Sequence, residues 1–229
     1  MTKTSAHARI LAVSLLGGAL VVVPMALAQE AGPKAIGLPA PRATGTVSVE
    51  GALRARRSLR TFSAQPLTLA EVGQLLWAAQ GVTDPSGRRT APSAGACYPL
   101  ELYLVAGNVT GLAPGVYRYR PSEHDLMPVA MGDRRAAVAK ACRQGWVAEA
   151  PASVAFAAIY ARTAKKYPDR AARYIPIEVG AAAENLALQA VALGLGTTVV
   201  GAYDDAALAQ ALGSASDERP LALLPMGKR

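Results

Sequence analysis

The stretch IEVGAAAENLALQAVAL, residues 177–193, restricts the possible folds more than any other part of the chain. It is rich in Ala and Leu and has no internal proline, so it is expected to be one long helix, ended at Gly194-Leu195-Gly196. Glu178, Glu184 and Asn185 are among its few polar side chains. A helix with so little wettable face has to be covered on several sides, by its own domain or by a second subunit as well.

The other elements are shorter. Thr68-Leu69-Ala70-Glu71 is a capping box, and Val72, Leu75, Leu76 and Ala79 follow at helical spacing until Gly81, where a left-handed terminator belongs. Leu100, Leu102 and Leu104 alternate with Glu101, Tyr103 and Val105, the period of a strand with at least one buried face. Apolar pieces at 115–119 and 126–131, separated by Pro and Gly, read as an antiparallel meander. Asp133 is placed to cap a helix through Cys142, and 152–160 reads as a buried strand. After the long helix come a β-branched strand at 197–202 that turns at Gly201, a short helix at 204–212 and a last strand at 221–226.

Two segments carry chemistry rather than packing. TAPSAGACYPLELY, residues 90–103, puts Ser93, Ala94, Gly95 and Ala96 between Pro92 and Pro99. So little side chain lets a loop lay its own N–H groups against a ligand, although an ordinary turn before a strand has the same composition. LRARRSLRTF, residues 53–62, sets Arg54, Arg56, Arg57 and Arg60 around Ser58. Such a run is often a solvated basic face; its spacing equally suits guanidinium forks and a hydroxyl meeting on one phosphate or on the polar edge of a ring.

Length and charge narrow the classes. Of 229 residues, 1–28 read as a signal peptide: Lys3 and Arg9, an apolar run at 10–23, then Ala26-Leu27-Ala28. The run is shorter than the roughly 20 residues of a membrane-spanning helix, an uncleaved anchor being the competing reading. Export to the periplasm or medium is expected, with no stable membrane span after cleavage. Cleavage removes Lys3 and Arg9 and lowers the net charge from +8 to +6. The arginines are clustered rather than interleaved with aromatics along a stripe, which argues against nucleic acid and for a small anion. Residues 29–51 are poor in large apolar side chains and read as a flexible lead-in, leaving 52–229 as the domain. Cys97, Cys142 and His124 make no metal set, so no metal is expected; whether the cysteines pair depends on a separation that sequence does not supply.

Taken in order, RRSLRTF, LTLAEVGQLLWAAQGVT, RTAPSAGACYPLELYLVAGNVTGLAPGVYRY and IEVGAAAENLALQAVALGLGTTVVGA resemble the nitroreductase superfamily of flavoproteins, most of all its SagB-type dehydrogenase branch. The resemblance implies an α+β fold with a central mixed or antiparallel sheet flanked by helices, and a homodimer with FMN at the subunit interface. It implies oxidoreductase activity on a small organic substrate, with NAD(P)H as a candidate electron donor. Carried over by position, Arg56, Arg57, Ser58 and Arg60 match the motif at the flavin's phosphate and pyrimidine side. Pro92, Ser93, Ala94 and Gly95 match the loop along the cofactor, and Val200 and Gly201 the turn facing the ring. Lys228 or Arg229 is the counterpart of a basic phosphate ligand after the last strand. Lys166-Tyr167, with Arg170, Arg173 and Tyr174, resembles a segment in which a Lys-Tyr pair is associated with proton removal during azoline oxidation. Two neighbouring lysines at a surface also serve solubility alone.

The chain departs from that branch at Ala181, where a histidine commonly follows the glycine, and at Glu184, where glutamine is frequent. The expectation is therefore flavin chemistry on a small molecule rather than on a peptide. A flavin-binding or interaction protein that kept the fold without redox chemistry is the second reading. Residues 1–28 hold no twin-arginine pair, so an exported chain would acquire FMN after crossing unfolded.

Overall fold

The computed structural model describes residues 34–229; the expected signal sequence lies outside the described residues. In chain order the elements are β1 (Ile36–Gly37), α1 (Val49–Ala55), β2 (Leu67–Thr68), α2 (Leu69–Gln80), β3 (Leu100–Ala106), β4 (Val109–Thr110), β5 (Gly115–Arg120), β6 (Asp125–Met131), α3 (Arg135–Cys142), β7 (Ala152–Ile159), α4 (Tyr160–Ala164), α5 (Ala171–Ala192), β8 (Leu195–Thr197), α6 (Asp205–Leu212) and β9 (Glu218–Lys228).

Alternation along β3 builds the layers. Leu100, Leu102 and Leu104 join Leu75, Leu76, Ile175 and Leu186 in a core between the sheet and helices α2 and α5. Tyr103 and Val105 point the other way, into a second core with Val138, Leu208 and Leu212 of α3 and α6. Both faces of β3 are buried, which is why β7 beside it reads as an almost unbroken apolar run. The seven strands lie in the order β1-β6-β5-β3-β7-β9-β8, antiparallel at every pairing. The fold is α+β, a central antiparallel sheet flanked by helices, as expected. Strands β2 and β4 form a separate parallel pair.

Several elements differ from expectation for identifiable reasons. The expected lead-in carries structure from Ile36 on: β1 pairs with β6, and the Arg42 N–H donates to Gln74 Oε1 at 2.8 Å. His124 Nε2 donates to the Pro39 carbonyl at 3.0 Å while its Nδ1 accepts from Tyr119. These are backbone attachments, so they need no large apolar side chains. Gly81 ends α2 with an extended backbone, φ −64°, not a left-handed one. It is glycine because a Cβ there would lie 2.1 Å from Trp77 Cδ1. Helix α5 starts six residues early and runs through Pro176, drawn back by buried Ala171 and Ile175. The expected strand at 197–202 is regular only as far as Thr197; beyond it Val200 makes a lone two-bond bridge to Leu223.

Among the described residues, no helix is long and apolar enough to cross a membrane.

Candidate functional site

Helix α5 positions the small-residue loop. Glu178 and Asn185 are seven residues apart, two turns along one face. Glu178 Oε1 accepts the Ala94 N–H at 2.9 Å and Asn185 Nδ2 donates to the Thr90 carbonyl at 3.2 Å. The loop is closed on itself by Ser93 Oγ, which accepts the Tyr98 N–H at 2.9 Å. Three of its residues are left-handed, Gly95 at φ 60°, Ala96 at 54° and Tyr98 at 44°. Tyr98 is pinned from outside, with the Arg89 guanidinium carbon 4.6 Å from its ring centroid.

The Lys-Tyr pair meets this loop. Lys166 Nζ donates to the Gly95 carbonyl at 3.3 Å. A Cβ on Gly95 would lie 2.8 Å from Lys166 Nζ and 2.8 Å from Tyr167 Oη, so a larger residue there would have to displace the tips of both side chains and adopt a left-handed backbone as well. One helical turn before Lys166, Arg162 donates to the Tyr98 carbonyl at 3.0 Å and pairs with Glu101 at 2.5 Å. Glu101 also pairs with Arg118 at 3.2 Å, and Arg118 with Glu218, so an ion-pair chain ties the loop to β3, β5 and β9. Tyr167 stacks edge-on against Tyr174, centroids 5.4 Å apart.

The basic segment lies elsewhere on the same scaffold. Ser58 bridges Thr197 in parallel register, Leu59 N–H donates to the Thr197 carbonyl at 3.0 Å, and Ser63 N–H to the Lys228 carbonyl at 3.0 Å. This seats 58–63 beside β8 and the end of β9, near Arg229 and upstream of Val200-Gly201. Arg56 is engaged by Glu184 of α5 at 3.3 Å. Arg57 and Arg60 are exposed, and among the described residues neither pairs with a carboxylate. Gly201 is exposed, and a Cβ on it would meet nothing within 4 Å. Arg57 Nη1 donates to the carbonyls of Arg54 at 3.0 Å and Arg56 at 2.7 Å; its remaining N–H groups, the exposed Arg60, a seryl hydroxyl and an open glycine turn are a donor set that fits a phosphorylated planar group.

One chain therefore brings the predicted residues into two groups: Pro92 to Gly95 with Lys166 and Tyr167, and Arg56 to Arg60 with Val200, Gly201 and Arg229. Among the described residues no hydrogen bond or ion pair joins the two. Two cavities are lined by other residues than these. One of about 460 Å³ between α3 and α6 is lined by Arg134, Lys140 and Arg143. Another of about 280 Å³ among α1, α2 and α5 reaches Thr90 and Asn185. Cys97 and Cys142 are free; the first sits in the loop, the second in the core behind the sheet, where burial pushes its thiol up to about 11. Among the described residues no cluster of His, Cys, Asp and Glu is arranged to hold a metal.

Sequence reasoning assigned no role to Glu178, Asn185 or Arg162. The available signal was the seven-residue spacing of the first two in an otherwise apolar helix. Burial holds the Glu178 carboxyl above the usual carboxylate range, opposed by hydrogen bonds from Ala94 and Ser93.

A provisionally named nitroreductase of Methanocaldococcus jannaschii is 42% identical over 184 residues, covering 80% of this chain and 92% of that one. Among solved structures, a provisionally named nitroreductase of Ralstonia eutropha superposes with a TM-score of 0.74 at 32% identity, over 85% of this chain and 89% of the other. A chain of the E. coli microcin synthetase complex shares the fold, with a TM-score of 0.67 at 24% identity, covering 93% of this chain and 84% of that one. Residues 53–228 match the nitroreductase family itself, and the chain belongs to that family.

Proposed function

We propose that this protein is an FMN-dependent oxidoreductase of the SagB-type dehydrogenase branch, an exported homodimer acting on a small organic substrate with NAD(P)H as electron donor. The observation that carries the reading is the convergence of Lys166 Nζ and Tyr167 Oη on Gly95 of the small-residue loop. A strained loop of minimal side chains with two proton-bearing groups against it is costly as mere packing and useful beside a planar reactant.

In this reading Arg57, Arg60 and Ser58 hold the FMN phosphate, with Arg56 and Arg229 at its margin. Pro92, Ser93, Ala94 and Gly95 give the ring a backbone surface, and the exposed Gly201 that follows buried Val200 leaves it an unobstructed approach. FMN, when bound, supplies reversible two-electron transfer. Lys166 and Tyr167 hold or accept a proton at the substrate atom nearest them. The two groups of residues come from different subunits of the dimer, so each site is completed by the partner chain.

Replacing Arg57 with Ala removes one charge-assisted contact to phosphate. The expected result is a weakening of FMN binding by about 10- to 100-fold, read by titrating flavin fluorescence. An unchanged affinity contradicts the phosphate assignment.

A further inference from the structure

The loop at 93–98 is gripped from two sides. From one side Arg162 and Lys166, four residues apart, donate to the carbonyls of Tyr98 and Gly95. From the other side comes Glu178, only 5% exposed, through its bond from the Ala94 N–H. Asp125 and Glu218, carboxylates of similarly low exposure, each meet an arginine. Glu178 has no cation partner among the described residues. A buried carboxylate without a counter-ion depends on the donors around it, and here the loop provides them.

The dependence is mutual. Ala96 and Tyr98 occupy left-handed backbone, which residues with a Cβ adopt only at a cost, so the loop relaxes unless it is held. Ala94 is the residue directly before Gly95, whose carbonyl receives the Lys166 ammonium. The Ala94 N–H shares its peptide plane with the Ser93 carbonyl, which accepts the Ala96 N–H at 3.0 Å, and that N–H shares its plane with the Gly95 carbonyl; seating the Ala94 amide therefore orients the carbonyl, and the carbonyl holds the end of a long, otherwise mobile side chain.

We propose that Glu178 is the positioning residue for Lys166: its carboxylate seats the Ala94 amide, and through the Gly95 carbonyl sets where the lysine nitrogen points. The inference deepens the reading of Lys166 as the group that handles the substrate's proton, and it rests on that reading for its catalytic meaning. Glu178 touches neither substrate nor cofactor in this account; it acts through the loop.

The test uses the full protein with Glu178→Ala, Glu178→Gln and Ala94→Pro. Glutamine keeps an acceptor oxygen for the Ala94 N–H. Proline removes the donor from the loop side, and Ser93 at φ −134°, ψ 135° already has the backbone that precedes proline. Two readouts are independent of turnover: hydrogen exchange of the 94–97 amides, and acetylation of Lys166 by acetic anhydride with Lys165 as internal reference. Glu178→Ala is expected to speed both by about tenfold, the value of a lost buried hydrogen bond. Ala94→Pro should match it in the acetylation ratio, and Glu178→Gln should stay near wild type. If Glu178→Ala folds poorly, Ala94→Pro and Glu178→Gln carry the comparison. Wild-type exchange and labelling in Glu178→Ala, or wild-type labelling in Ala94→Pro, overturns the proposal.

Turnover separates it from the functional reading. With both correct, Lys166→Ala abolishes turnover and Glu178→Ala lowers kcat by about tenfold with little change in KM. Unchanged turnover in Lys166→Ala refutes the catalytic reading while altered labelling still upholds the positioning. Lost turnover in Lys166→Ala with unchanged kcat in Glu178→Ala refutes the positioning alone.

Discussion

At Glu178 packing and electrostatics pull against each other. Burial holds its carboxyl above the usual range, so the folded chain binds this proton more tightly than the unfolded chain does. The stability linked to it is complete below the ordinary glutamate value and is lost as pH rises through the raised one. Glu178→Gln retains the acceptor and cannot ionise. Its melting temperature is expected to exceed that of wild type at neutral pH, with the gap closing below about pH 4. Thermal unfolding across that range checks it; a gap that does not change with pH contradicts the assignment. The neighbouring Gly95 is set by a different constraint, the close approach of Lys166 and Tyr167.

Among the elements, α5 carries the most, since it closes the core against β3 and anchors the loop and the basic segment through Glu178, Asn185 and Glu184. Leu186 lies fully buried in that core. Leu186→Ala is expected to cost about 2–5 kcal/mol by denaturant unfolding, and a loss well under 1 kcal/mol would mean that the helix is not seated as described. Much of this was legible in the sequence because the signals were local: the Thr68–Glu71 capping box forms as read, and β3 alternates as its leucines do. What escaped was decided at long range. The Ile36 strand exists because a sheet edge was available to it, and Gly81 is there because of an indole one turn away. The role of Glu178 depended on a loop 84 residues distant. The composition of the 90–95 loop announced a close approach but not by what; the Lys166 and Tyr167 side chains answer that.

At the scale of the whole molecule, the division of the candidate residues into two separate groups is what the proposed homodimer resolves. Val49 and Leu53 of α1, at 66% and 54% exposure, with Ile177 of α5 at 63% and Val199 at 54%, leave apolar surface for a second chain. If each site draws its basic segment from one subunit and its Lys-Tyr pair from the other, mixing Arg57→Ala with Lys166→Ala protein under subunit exchange should recover about a quarter of wild-type activity. A mixture as inactive as its parents contradicts a shared site. The most direct measurement is the absorption spectrum of residues 29–229 after mixing with FMN and removing unbound flavin, followed by anaerobic titration with NADH and NADPH. Bound flavin whose bands bleach on adding a donor is the result this account predicts. A colourless protein, or bound flavin that neither nucleotide reduces, would contradict it and point to a chain that kept the fold without the redox chemistry.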